Sequence, residues 1–139
     1  MKNVYRVFTT TTVIALLLFN SCVPEDVIVE DLTPKLVTDS WTFNSVDTGD
    51  AFLDASYEIT YGGNVLTFLS DGTCLDLLLG VNGAGTWSMN DNQTVLSIAI
   101  TYDDGDTRNE SWNIKTISDT ELIYTFDLSP NTLEMRYVH

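Results

Sequence analysis

The chain of 139 residues holds a single histidine, His139, two cysteines, Cys22 and Cys74, and six basic residues against 20 acidic ones. Each scarcity closes a class of function. With its only histidine at the last position, the chain cannot build a Ser-His-Asp triad or a histidine-rich zinc site in its interior. No H-E-x-x-H, C-x-x-C, G-x-S-x-G or phosphate-loop pattern occurs. A net charge of -14 repels phosphate backbones, so nucleic acid is not an expected partner. A two-carboxylate glycosidase needs no histidine, but the strand acids Asp76, Asp127 and Glu134 fall in the phase expected to face outward. The expectation is a protein that is not an enzyme, with no catalytic residue and no cofactor. The acidic surface itself speaks to solubility and association rather than to fold.

The N-terminus carries chemistry of another kind. Lys2 and Arg6 precede an apolar run over residues 9–19, which is too short to span a bilayer stably. The run ends at Asn20, Ser21 and Cys22. A small residue directly before a cysteine at this place resembles the lipobox of bacterial lipoproteins, although Phe19 and Asn20 stand where many such boxes have Leu and Ala or Ser. An ordinary secretory signal with an incidental cysteine is the alternative. The resemblance implies a signal peptide over residues 1–21 and lipidation at Cys22. Residues 22–139 then hold four basic and 20 acidic residues, a net -16. Cys74 is left without a disulfide partner and is expected to be a small, half-buried strand residue. Residue 23 is Val and not Asp, so the familiar inner-membrane retention signal is missing, and Glu25 with Asp26 looks like a surface-export signal. The expected location is the outer membrane, with lipid-anchored display on the cell surface or on the periplasmic face. Residues 22–35, with Pro24, Pro34 and four acids, read as a flexible acidic tether, and residues 36–139 as one folded domain.

After residue 35 the apolar pattern has period two. Leu96, Ile98, Ile100 and Tyr102 alternate with Ser97, Ala99 and Thr101; Leu122, Tyr124, Phe126 and Leu128 repeat the pattern; Leu133, Met135 and Tyr137 close it. Leu66 and Phe68, Leu75 and Leu77, Trp87 and Met89, Trp112 and Ile114, and Trp41 and Phe43 supply further strands, and Tyr57, Ile59 and Tyr61 a ninth candidate. Asp71-Gly72 is a two-residue hairpin signal, which sets Leu66, Phe68, Leu75 and Leu77 on the core side. Gly80, Gly83 and Gly85 mark a longer, mobile loop. Short turns impose antiparallel neighbours. The expected fold is all-β: an antiparallel meander of eight strands, nine with the extra candidate, closing into an up-and-down barrel or a half-open sandwich.

Leu66-Thr67-Phe68, Ser70-Asp71-Gly72-Thr73 and Gly85-Thr86-Trp87, with the early Trp41 and the late turn Ser118-Asp119-Thr120-Glu121-Leu122, resemble the lipocalin-like domain of small bacterial lipoproteins. The resemblance covers residues 41–138 and departs at Ser40, where that family commonly has Gly. It implies a lipid-tethered, lipocalin-like barrel and transfers no catalytic residue and no substrate. The inward aromatic set, Trp41, Phe43, Phe68, Trp87, Trp112, Tyr124, Phe126 and Tyr137, favours a filled core over a cavity. The one metal candidate is calcium at Asp103, Asp104 and Asp106, crowded around Gly105 without the EF-hand spacing; acidic turns are otherwise ordinary. The sequence therefore points to a non-enzymatic, lipid-anchored binding or interaction domain whose partner is an unknown protein or small molecule. The alternatives are a lipocalin-type carrier of a small apolar ligand and an inhibitor or accessory subunit of a surface complex, for which the glycine-rich segment 80–85 would be the contact loop.

Overall fold

Eight antiparallel strands close on themselves. The structure, a computed structural model, describes residues 29–128 and 131–139. The expected signal peptide, the lipidation candidate Cys22 and the first half of the expected tether, residues 22–28, lie outside the described residues. A short helix α1 (Thr33–Leu36) leads into β1 (Ser40–Asp47), and a second helix α2 (Ala51–Tyr61) connects β1 to β2 (Val65–Phe68). The meander then runs through β3 (Thr73–Leu78), β4 (Val81–Met89), β5 (Val95–Tyr102), β6 (Thr107–Ile117), β7 (Glu121–Leu128) and β8 (Asn131–Val138). Each strand pairs with the next, and β8 returns to β1 through Phe43 opposite Tyr137 and Val46 opposite Met135. Closure leaves no free edge for another chain to extend. It requires bent strands, and the register shifts on β1 between Phe43 and Ser45 and on β6 between Ile114 and Thr116, where bulges sharpen the local twist.

The interior is filled by the inward phase of these strands. Trp112 stacks flat on Tyr124 with ring centroids 4.0 Å apart, and Tyr124 in turn stacks on Tyr137 at 5.9 Å. Phe68 meets Trp112 and Trp87 edge-on, the arrangement that aromatic quadrupoles prefer. The end of the barrel from which β1 starts is stopped by α1. Leu36 is fully buried there, its carbonyl accepts the indole N–H of Trp41 at 2.9 Å, and His139 lies on the Trp41 ring with centroids 3.8 Å apart. Leu32 also packs against the core, so the folded unit reaches back into the last residues of the expected tether.

Three local expectations are corrected. The ninth strand candidate is helix α2. Asp50 caps it by accepting from the backbone N–H groups of Phe52 and Leu53, and Leu53, Tyr57 and Tyr61 then recur at helical spacing on one side. The glycine-rich segment 80–85 is no loop. Leu79 and Gly80, both at positive φ (52° and 79°), form a tight turn, and Gly83 and Gly85 lie inside β4. A Cβ at Gly85 would stand 1.9 Å from the carbonyl oxygen of Ala99, so β4 and β5 can only approach as they do with glycine there.

The third correction concerns β3. Leu75 and Leu77 face outward, 49% and 37% exposed, and Cys74 and Asp76 face the core. The cause is the turn. The backbone N–H of Leu69 donates to the carbonyl of Thr73, and Gly72, at φ +84°, donates back to Leu69. The loop is therefore Ser70-Asp71-Gly72, three residues with glycine in the left-handed position, and Phe68 stands opposite Cys74 instead of Leu75. A slip of one residue turns every side chain of the strand over.

Trp112→Ala removes the centre of the aromatic stack and should cost about 3–5 kcal/mol. Urea unfolding followed by tryptophan fluorescence measures it, and a loss under about 1 kcal/mol would contradict a filled interior.

Candidate functional site

The end of the barrel under α2 is organised around a charge in the wrong place for a barrel interior. Asp76 is 2% exposed. Its row across the sheet runs Asp76, Gly83, Tyr102 on three adjacent strands. Gly83 has no side chain, and a Cβ there would stand 2.7 Å from the Tyr102 ring. That gap lets the Tyr102 hydroxyl cross β4 and donate to Asp76 Oδ2. Arg108, on β6 beyond Ile100, donates to the same oxygen from Nη1 at 3.1 Å. Asp76 Oδ1 accepts from the side-chain amide of Asn64, which also donates to the carbonyl of Leu77 at 2.9 Å. Asn64 Oδ1 accepts from the Tyr137 hydroxyl at 2.6 Å. The network ties β6, β5, β3, the start of β2 and β8 together through the barrel's interior. A buried carboxylate so satisfied is tolerable; one stripped of its partners is costly.

Arg108 is the hub on the cationic side. Its Nε lies 2.9 Å from Glu110 Oε1, while Glu110 Oε2 accepts from the indole of Trp112 at 2.6 Å. The guanidinium sits between two rings, with its carbon 5.3 Å from the Tyr61 centroid and 5.4 Å from that of Trp112. The Nε–Glu110 contact is close but poorly aligned for hydrogen bonding, and buried Nη2 has no partner among the described residues, nor has the hydroxyl of Tyr124. A buried donor without a partner costs about 1–3 kcal/mol.

Above this network lies a pocket of about 280 Å³. Arg108 and Glu110 form its floor, Tyr61, Tyr102, Leu78 and Val81 its walls, and Asp104 and Asp106 its lip. Helix α2 covers one side. It buries no residue completely, and it touches the core mainly through Tyr57 and Tyr61 while Phe52 and Ile59 stand 81% and 79% exposed.

The acidic turn singled out in the sequence is found at that lip. Tyr102 and Asp106 pair across it, and Gly105 takes φ +94°. Asp104 spends its carboxylate on the backbone N–H of Asp106 at 3.1 Å, and the backbone N–H of Asp103 bonds Asn82. Among the described residues no three carboxylate, thiol or imidazole groups stand close enough to hold a metal ion, so the turn does not gather Asp103, Asp104 and Asp106 into a calcium cage. Asp76 is the strand acid that departs from its expected outward phase, and Arg108, Asn64 and Tyr102 are the site residues the sequence reading passed over. One signal for Arg108 was present. It is one of only four basic residues after position 22, and all four form ion pairs. Around the outside, Val65, Leu75, Leu77 and Ala84 line a shallow apolar groove of about 410 Å³.

Two outcomes follow from the buried network. Arg108→Met removes the cationic partner of buried Asp76 and should cost about 3–5 kcal/mol, while Arg108→Met combined with Asp76→Leu should cost less than Arg108→Met alone. Denaturant unfolding of the single and double variants checks the order, and a double variant weaker than the single one contradicts it. The second outcome is alkaline. Burial raises the Cys74 thiol from 9.0 to about 11 and lifts Tyr102, Tyr124 and Tyr137 above their ordinary 10.0. The unfolded chain therefore ionises first: the stabilisation is complete below pH 9.0 and is lost as pH rises, for Cys74 between 9.0 and about 11. Melting temperatures should be flat from pH 7 to 8.5 and fall beyond it; a rise instead would contradict the burial of these groups.

No protein-family model matches the chain, and no curated protein matches it in sequence.

Proposed function

We propose that the chain is a lipid-anchored, non-enzymatic binding domain held at the outer membrane through Cys22. What supports the reading in the sequence is the apolar run ending at Ser21-Cys22 and the acidic tether behind it. The observation that carries it in the structure is the filled barrel. The Trp112–Tyr124–Tyr137 stack and the Asp76–Arg108 network occupy the interior, so recognition falls to the α2 end and to the outer wall. On that wall Leu75 and Leu77 form an apolar strip on a strongly acidic protein, the kind of patch that marks contact with a partner.

The carrier reading has one observation in its favour, the pocket under α2. Its volume of about 280 Å³ lies just below the range of typical ligand sites, roughly 300–1,000 Å³, and suits a small molecule rather than a long lipid chain. The accessory-subunit reading loses its contact loop, because residues 81–85 are strand.

The anchor is tested in a Gram-negative host. Wild type should incorporate an alkyne fatty acid and sediment with outer membranes, and Cys22→Ala should do neither. Equal labelling of Cys22→Ala would refute the anchor.

A further inference from the structure

The pocket under α2 has an electrostatic character that selects its ligand. Among the described residues Arg108 is the only cation lining the site, and it is already faced by Asp76 and Glu110 from within. Asp104 and Asp106 add two more carboxylates at the lip. The site is net negative, so an anion gains nothing from Arg108 that these four acids do not oppose. Yet Arg108 retains a donor, Nη2, that no described residue accepts, in a side chain only 7% exposed. An unpartnered donor of this kind asks for an oxygen acceptor that brings no negative charge. Of the two rings on the guanidinium, Tyr61 is the one that also lines the pocket, and it rides on a helix anchored by partly buried tyrosines. Turning only the Tyr61 ring aside uncovers the guanidinium while the Tyr61 carbonyl still accepts from the backbone N–H of Asn64, so that Asp76 keeps its bonds to Asn64, Tyr102 and Arg108 Nη1.

We propose that this pocket binds a small neutral or cationic molecule bearing a carbonyl-type oxygen, which takes the place of Tyr61 over Arg108 and accepts from Nη2. Leu78, Val81 and the Tyr102 ring hold its apolar body, and a cationic group, where the ligand has one, lies among Asp104 and Asp106. The inference rests on the reading of the chain as a binding domain and is independent of how it is anchored.

Three water-soluble probes that share a benzene ring separate the contributions: benzamide, benzoate, and 4-(aminomethyl)benzamide. The full chain is titrated in a dilute non-ionic detergent that keeps it dispersed with or without a lipid, following the backbone amide resonances of Leu78, Val81 and Tyr102. Benzamide should shift them saturably. Benzoate, with a charged acceptor, should bind at least about tenfold more weakly, and 4-(aminomethyl)benzamide at least about tenfold more tightly. Val81→Phe fills the pocket away from the ion pairs and should abolish the shifts while keeping the wild-type melting temperature. Benzoate binding as well as benzamide overturns the charge argument. Absence of saturable shifts with both amides, or full affinity in Val81→Phe, overturns the site. Loss of fatty-acid labelling at Cys22 would leave all of these titrations unaffected, so the two readings fail separately.

Discussion

The structure depends on one carboxylate. Asp76 points into a barrel whose other inward side chains are largely apolar or aromatic, and it is held there by the Tyr102 hydroxyl, the Asn64 amide and the Arg108 guanidinium. Each partner imposes a condition of its own. Tyr102 reaches Asp76 only because Gly83 leaves an opening in the strand between them. Asn64 must be buried at the entry to β2, which fixes where α2 ends, and its backbone N–H bonds Tyr61 while its carbonyl accepts from Phe43. Arg108 must be enclosed, and Tyr61 and Trp112 enclose it. Hydrogen-bonded charge of this sort is a weak contributor to net stability against an apolar alternative, but removing one partner is severe. Its effect is to admit one arrangement of β3, β5, β6 and α2 and to penalise the others.

The two ends of the barrel are closed by different physics. At the α1 end the closure is apolar and tight: Leu36 and Trp41 are completely buried, and an indole N–H is satisfied by a helix carbonyl. At the α2 end it is polar and partial. The helix lies beside the shortest pairing of the barrel, where only Ser40 to Thr42 meet Val65 to Thr67, and it presents Phe52 and Ile59 to solvent. Fewer buried apolar contacts mean a smaller free energy of local opening. The sparsely buried helix thus lies over the part that holds the buried charges, and the acidic β5–β6 turn lines the same pocket. A concave, half-polar site beneath a weakly held helix is where a closed barrel can still take a ligand.

How much of this was legible beforehand differs from element to element, and the reasons are physical. Period-two alternation and short polar turns carried the eight antiparallel strands, because side-chain alternation and hairpin connection are local properties of the chain. The inward aromatics Trp41, Trp112, Tyr124 and Tyr137 were read correctly for the same reason. Helix α2 was also locally encoded, by the Asp50 cap and the spacing of Leu53, Tyr57 and Tyr61, but Tyr57, Ile59 and Tyr61 mimic a strand when taken alone. The run around Asp76 has apolar residues in both phases, so alternation cannot choose between them. The choice belongs to the turn, where Gly72 in the left-handed position makes a three-residue loop of what looked like a two-residue one.

What the sequence by itself determined is the class and the composition: an all-β domain built from period-two strands and short turns, with a single histidine and a net charge of -14. These follow from residue types and near-neighbour spacing, which tertiary contacts cannot alter. Only the tertiary structure decided that the meander closes, that β3 turns its leucines outward, and that Asp76, Asn64, Tyr102 and Arg108 meet. Those residues are separated by 12 to 32 positions from Asp76, and what brings them together is strand register, which accumulates across every turn. A single residue of slip at one hairpin reverses which face is which. That is why a pattern able to count the strands could not say which of their side chains would share the interior.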